Sequence, residues 1–403
     1  MRPRRMRPVS AALTVAALLA GFAALVAGAG AARMAAPAKL LATLPGPLQA
    51  LYVNTTDPIA PSAYGSFSAV KTPWKVCFAD SYEGNDWRLD VRKELERLTA
   101  QFKAAGQVSG ITTAVSNGNV ALQNSQIRSF VNQGCSVILS IPVSATGINA
   151  AVQAAYQKGI PFVAFAGAVT SPDAINVDSN YFVWGADMAT SIAKTIKSGN
   201  VVMVEGIQGQ PVAVAENQGA ESVWKKYPGI KVIAQVNGNW TPSVTKSVVL
   251  QVLSTHPQTI NAVWTTGSES RFVAQVFGQA GKPVPLITAS PTGDAIAYAK
   301  ENPRVHIVGG AVMPSWTADT AFRVAVRLLQ GQHPRLNTLM VPIPPFDSSQ
   351  LSKWYGSCMK DSSVTPFPVS PTDPLPESMM NGYFTNGKAT PPYNYTTIPS
   401  PCA

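Results

Sequence analysis

Residues 120–142 read VALQNSQIRSFVNQGCSVILSIP. Leu122, Ile127, Phe130 and Val131 recur at helical spacing, so 120–132 reads as an amphipathic helix. Gly134 stops it, as glycine does just past a helix end. Ser136–Ile141 is then a short, nearly continuous apolar run closed by Pro142. A strand of that kind is buried on both faces, and a helix leading into it describes half of a strand–helix–strand unit. The same rhythm extends outward in both directions. Strands are expected at Trp74–Ala79, Val108–Ala114, Ser136–Ile141, Pro161–Ala166, Val201–Glu205, Lys231–Val236, Ala262–Thr265, Val284–Thr288 and Val305–Ala311. The alternation specifies an α/β fold of parallel sheets with helices on both faces.

Helical periodicity fills the gaps at Trp87–Ala104, Val183–Lys197, Val212–Lys226, Ser243–Thr255, Glu269–Gln279, Asp294–Lys300 and Thr317–Leu329. Two blocks share one element order, so the chain reads as two similar doubly wound parallel-sheet lobes joined by a multi-strand hinge. The last long helix has no strand partners of its own and returns to the first lobe. The expected division is therefore 74–178 plus 313–336 for lobe 1 and 179–312 plus 337–346 for lobe 2. Residues 33–73 form a linker or extension. The Pro-rich segment 347–403 has too few periodic apolar residues for a core of its own and is expected to pack on the body through its aromatic side chains.

The 403 residues are 46% hydrophobic and 13% charged, so large cores can be buried. Formal net charge is +10, but Arg2, Arg4, Arg5 and Arg7 belong to the first residues and the rest is diffuse. Without a Lys/Arg block there is no electrostatic footprint for nucleic acid. Residues 1–32 have a basic start, the apolar run Val9–Ala32 and small residues after it, as in a signal peptide or N-terminal anchor. No cysteine follows the run, which speaks against a lipoprotein anchor. The expected location is the periplasm or cell exterior.

Export permits disulfides. Cys358 and Cys402 in the tail are the expected pair, closing a loop of about 45 residues and restricting the unfolded chain by roughly 3–4 kcal/mol. Cys77 and Cys135 open neighbouring core strands. They read as buried thiols, because Cβ vectors of adjacent parallel strands seldom suit a disulfide.

Searches for catalysis find little. His256, His306 and His333 are far apart and lack metal-ligand spacing, and no nucleophile elbow, zinc motif or phosphate loop occurs. No catalytic residue, metal or cofactor is expected. In α/β proteins the loops after strand C-termini carry function. Here they read Asp80 through Arg88, Pro142-Val143-Ser144, Ala166-Gly167, Gly206 through Gly209, Thr265 through Glu269, and Ala289 through Thr292. Aromatic, amide and hydroxyl groups together suit a polar ligand with apolar faces, such as a sugar or polyol.

In this setting residues 74–331 resemble the periplasmic sugar-binding proteins of the ribose-binding type. The carriers of the resemblance are Val76–Ala79 followed by Asn85-Asp86-Trp87-Arg88, Gln133 through Pro142, Lys158-Gly159-Ile160-Pro161-Phe162-Val163, Ala262-Val263-Trp264 and Leu328-Leu329-Gln330-Gly331. The resemblance implies the type 1 periplasmic binding protein fold and a ligand site of Tyr82, Asn85, Trp87, Arg88, Ser144, Glu216, Gly267, Ser268 and Ser290. The family's polar pattern is altered. Its Asp-Arg pair falls on Ala166-Gly167, an Arg on Glu216 before Gly219, an Asn-Asp on Gly267-Ser268, a later Asp on Ser290, and its second loop aromatic on Arg88. These changes point away from ribose. The implied function is an extracytoplasmic solute-binding protein, acting as a monomer, that delivers a small polar molecule to an ABC-type permease. A ligand-sensing receptor domain for a membrane signalling partner is the alternative, and an exported enzyme is disfavoured because no acid–base pair is visible.

Overall fold

The computed structural model describes residues 38–361 and 373–388. The leader and Cys402 lie outside the described residues. Among the described residues no helix is long and apolar enough to cross a membrane.

The expected alternation is present. The first lobe is built from β1 (Trp74–Asp80), α1 (Asp86–Ala104), β2 (Val108–Val115), α2 (Val120–Asn132), β3 (Val137–Ser140), α3 (Asn149–Gln157), β4 (Phe162–Phe165) and β5 (Ile175–Asp178). The chain then enters the second lobe through α4 (Tyr181–Ile196), β6 (Gly199–Glu205), α5 (Pro211–Trp224), β7 (Ile230–Asn237), α6 (Pro242–Thr255), β8 (Ala262–Thr265), α7 (Ser270–Gln279), β9 (Leu286–Ala289), α8 (Gly293–Glu301) and β10 (Ile307–Gly310). It returns through α9 (Pro314–Leu329) and β11 (Thr338–Met340), then crosses again to β12 (Pro345–Asp347). The sheet orders are β11-β5-β4-β3-β1-β2 and β12-β10-β9-β8-β6-β7. Pairing is parallel except between β12 and β10. The two lobes share one layout, with β1 and β6 holding equivalent inner positions.

Local chemistry sets the helix starts. Asn85, Asn119, Asn180 and Thr292 each accept a backbone N–H at an N-terminus, which satisfies an otherwise orphan donor. Pro211, Pro242 and Pro314 occupy the first helical position, where a missing N–H costs nothing. Gly134 follows α2 at φ +69°, a left-handed conformation that glycine adopts without a Cβ clash. β5, β11 and β12 were not anticipated: β5 follows β4 with no helix between them, and β11 and β12 have three residues each, too short to show a pattern. β11 also corrects the lobe boundary. Residues 338–340 form the edge of the first sheet rather than joining lobe 2, while 345–347 do join the second.

The cysteine expectation is also corrected. Cys77 and Cys135 form a disulfide with Cα atoms 6.0 Å apart. The argument against it placed Cys135 within a strand. It instead precedes β3, directly after the left-handed Gly134, so its Cβ does not follow the pleat. Ser136 and Val137, not Cys135, reach the first paired positions beside β1. Cys358 is disulfide-bonded as well; its expected partner Cys402 is outside the described residues.

Both chain ends contribute to the first lobe. Leu44, Leu48, Tyr52 and Tyr64 from the N-terminal extension, and Leu375, Met380, Tyr383 and Phe384 from the tail, are buried in its core. The tail is held by ions on α9. Arg323 pairs with Asp319 at 2.6 Å, Asp373 at 3.0 Å and Glu377 at 3.4 Å. Arg327 pairs with Glu377 and donates to Asn381 Oδ1 at 2.8 Å. Both guanidinium groups are buried, so removing a partner leaves charge poorly compensated in a low dielectric. Glu377→Ala is expected to cost about 3 kcal/mol in chemical denaturation, and Glu377→Gln less, since the amide still accepts a hydrogen bond. A loss under half a kcal/mol in both would show that the tail is not held this way.

Candidate functional site

The C-terminal ends of both sheets face one pocket. The first lobe supplies Asn85, Trp87 and Arg88 from the start of α1, and Ala166 after β4. The second supplies Gln210, Val212 and Glu216 at α5, Trp240 before α6, Thr266, Gly267 and Ser268 after β8, and Ser290 after β9. Tyr181 and Trp184 from α4 and Val312 from a crossing segment complete it.

Hydrogen bonds span the lobes. Trp87 Nε1 donates to Val312 O at 2.8 Å, and Ser290 Oγ accepts from Val312 N at 3.1 Å. Gln210 Nε2 donates to Ala166 O at 3.3 Å, while its Oε1 caps α5 by accepting from Val212 N at 2.9 Å. Tyr82 Oη lies 3.3 Å from Thr241 Oγ1.

The charges divide into paired and unpaired. Arg88 Nη1 meets Asp80 Oδ1 at 2.6 Å, and the Arg88 guanidinium lies 5.6 Å from the centre of the Trp87 ring. Arg271 Nη1 meets Asp294 Oδ2 at 2.8 Å. Glu216 has no such partner: its Oε2 accepts from Thr266 Oγ1 at 2.6 Å, and Thr266 Oγ1 accepts from Trp240 Nε1 at 3.1 Å. Burial pushes the Glu216 carboxyl well above the usual range, against the Thr266 hydrogen bond. Glu269 lies behind Gly267 and accepts from Thr265 Oγ1 at 3.4 Å. Its Oε1 has no hydrogen-bond partner among the described residues, and burial raises its carboxyl to about 7.

Of the residues expected from sequence, Asn85, Trp87, Arg88, Glu216, Gly267, Ser268 and Ser290 line this pocket. Tyr82 and Ser144 do not. Tyr82 touches the opposite lobe at the rim, and Ser144 Oγ accepts from Gly147 N at 3.0 Å in the turn before α3. Sequence reasoning missed Tyr181, Trp184, Gln210 and Trp240 as lining groups, while Thr266 stood in the expected loop 265–269 without being singled out. Trp240 was within reach: it closes the loop after β7, a strand end left out of the census, and sits at φ +49°. Tyr181 and Trp184 follow no strand end of their own sheet, because α4 begins where the chain crosses between lobes.

Residues 76–333 match the family described as periplasmic binding protein domain. The chain belongs to this family. Its members are solute-binding proteins. The xylitol-binding protein of Mycolicibacterium smegmatis is 30% identical over 207 residues, covering 48% of this chain and 59% of that protein. The chain thus spans about 60% of the length of that relative. The D-xylose-binding periplasmic protein of Escherichia coli is 24% identical, covering 64% of this chain and 79% of that one. Among solved structures, an ABC transporter solute-binding protein from Thermobispora bispora is similar with TM-score 0.66 and 25% identity, covering 73% of this chain and 92% of the other. This chain therefore has the family's type 1 periplasmic binding protein fold. At the positions where the family resemblance predicts charged sugar contacts, its pocket holds Ala166, Glu216, Gly267, Ser268 and Ser290.

Glu269 gives a test of the pocket's electrostatics. Its folded pKa lies above the unfolded 4.5, so the folded state binds the extra proton and stability must fall as pH rises from 4.5 through about 7. Glu269→Gln removes that fall. Across this interval the variant should gain up to about 3 kcal/mol on the wild type, measured by urea denaturation at pH 4.5, 6 and 8. A difference that is flat with pH would mean Glu269 is not desolvated.

Proposed function

We propose that this protein captures a small polar molecule, of the sugar or polyol class, between its two lobes outside the cytoplasm and delivers it to an ABC-type importer. The observation that carries this reading is the pocket itself: polar and aromatic groups from both lobes converge where the sheets' C-terminal ends meet. The cavity measures about 80 Å³, the scale of a small solute and not of a polymer. Trp87, Trp184 and Trp240 supply apolar ring area for C–H patches. The names of the relatives, which include xylitol- and D-xylose-binding proteins, agree with that ligand class.

The mechanism follows from hinge geometry. The chain crosses between lobes around residues 179, 312 and 342, and rotation about these crossings opens the cleft. Ligand contacts made by both lobes favour the closed form over the open one. The closed surface then presents a shape that a permease can distinguish from the empty protein. The basic, apolar leader supports export, and a monomer is the expected unit.

Differential scanning fluorimetry against sugars, polyols and amino sugars tests the reading. A ligand at a hundred times its Kd stabilises by about 2.7 kcal/mol, visible as a rise in Tm. Trp87→Ala should weaken binding by at least about 1 kcal/mol, or fivefold or more in Kd by calorimetry. Unchanged affinity with lowered stability would make Trp87 a core residue only. No shift with any solute would remove the binding assignment.

A further inference from the structure

We propose that the solute selected by this cleft carries a basic nitrogen beside its hydroxyl groups, an amino sugar or amino polyol, with Glu216 as its counter-ion. The inference rests on the solute-binding reading above and narrows its substrate class.

The argument is one of charge balance in a desolvated site. The titratable and charged groups near the pocket come from every element that borders it. Asp80 ends β1, Asp86 and Arg88 begin α1, and Glu216 lies on α5. Glu269 precedes α7, Arg271 lies on it, and Asp294 lies on α8. Tyr181 opens α4, with Asp178 and Asp57 behind it. The two cations among these are committed, Arg88 to Asp80 at 2.6 Å and Arg271 to Asp294 at 2.8 Å. Among the described residues no Lys or Arg forms an ion pair with Glu216, Glu269, Asp178 or Asp57. Glu216 is 1% exposed and lines the pocket, so its charge meets neither solvent nor a protein cation.

A buried carboxylate without a counter-ion is costly, so burial favours its neutral form. A neutral sugar brings no counter-ion and leaves that form in place. An ammonium group supplies the counter-ion, and the aromatic lining of Trp87, Tyr181, Trp184 and Trp240 favours a cation. Arg88 over the Trp87 ring at 5.6 Å is an instance of this contact already in the site. Thr266 holds Glu216 Oε2 in place. The upward shifts of Glu216 and Glu269 with burial agree with this picture. Proton balance follows. The ligand enters as R–NH3+, the Glu216 carboxyl releases its proton to solvent, and the site's net charge is unchanged by binding.

Matched pairs decide it: glucosamine with glucose, galactosamine with galactose, and glucamine with sorbitol. Titration calorimetry is run at pH 6 and pH 7.5 in two buffers of different ionisation enthalpy. The expected result is that the amine of at least one pair binds tenfold or more tighter than its neutral partner. Its binding should release about one proton and tighten from pH 6 to 7.5, and Glu216→Gln should abolish the preference. If the variant does not fold, proton release by the wild type carries the test alone. Equal or tighter binding of the neutral partner, or binding without proton release, overturns the inference and leaves the solute-binding reading standing. If no member of any pair binds but another neutral solute does, the inference also falls. If no solute of any kind binds, both readings fall together.

Discussion

The close crossing of α4 and α5 is the constraint on which the site depends. A Cβ on Gly185 would strike the backbone of Glu216, and one on Gly219 would strike the carbonyl of Phe182. Only two glycines facing each other's helix let the backbones come this near. The consequence is that the helix by which the chain enters the second lobe and the helix that carries the cleft acid are locked as one body. Tyr181, Trp184 and Glu216 are thereby set side by side, and Trp264 Nε1 reaches Gly185 O at 3.2 Å from the sheet beneath. This wall of the pocket is a helix pair packed on a sheet.

Several of the pocket's polar groups are already engaged within the protein. Asn85 and Gln210 are spent partly on capping α1 and α5, and Ser290 on holding Val312. Those bonds fix the loops in which the ligand groups sit. Preorganisation of this kind lowers the entropy lost when a solute is enclosed. It also leaves Glu216 as the acid of the pocket wall without an ion-pair partner among the described residues.

Much of this was legible in the sequence where periodicity is strong. The helices from 86 to 329 and the inner strands were readable because their apolar spacing is set by burial on known faces. The loops after β1, β8 and β9 were readable as the pocket side because parallel strands gather their C-termini on one edge of the sheet. What failed has a physical cause in each case. β11 and β12 are held by neighbours distant in sequence and carry no pattern of their own. The Cys77–Cys135 bridge depends on a one-residue offset at the turn after Gly134, finer than strand limits can be placed from composition. Trp184 reaches the pocket because of the helix crossing, a tertiary fact with no local sign.

The two ends of the described chain meet at one strand. Tyr52 Oη donates to Thr338 O at 2.6 Å, and Tyr383 Oη donates to Met340 O at 2.7 Å. Just ahead of that strand, Asn337 and Ala60 exchange hydrogen bonds, and Pro61 bridges Leu336 in antiparallel fashion. An open sheet margin is a template for another molecule's backbone and a route to fibrils. Here the margin of the first sheet is sealed by the protein's own extension and tail. Self-association by strand addition at that margin would first require both tyrosine clamps to release, so the two peripheral segments act as guards against polymerisation as well as parts of a core.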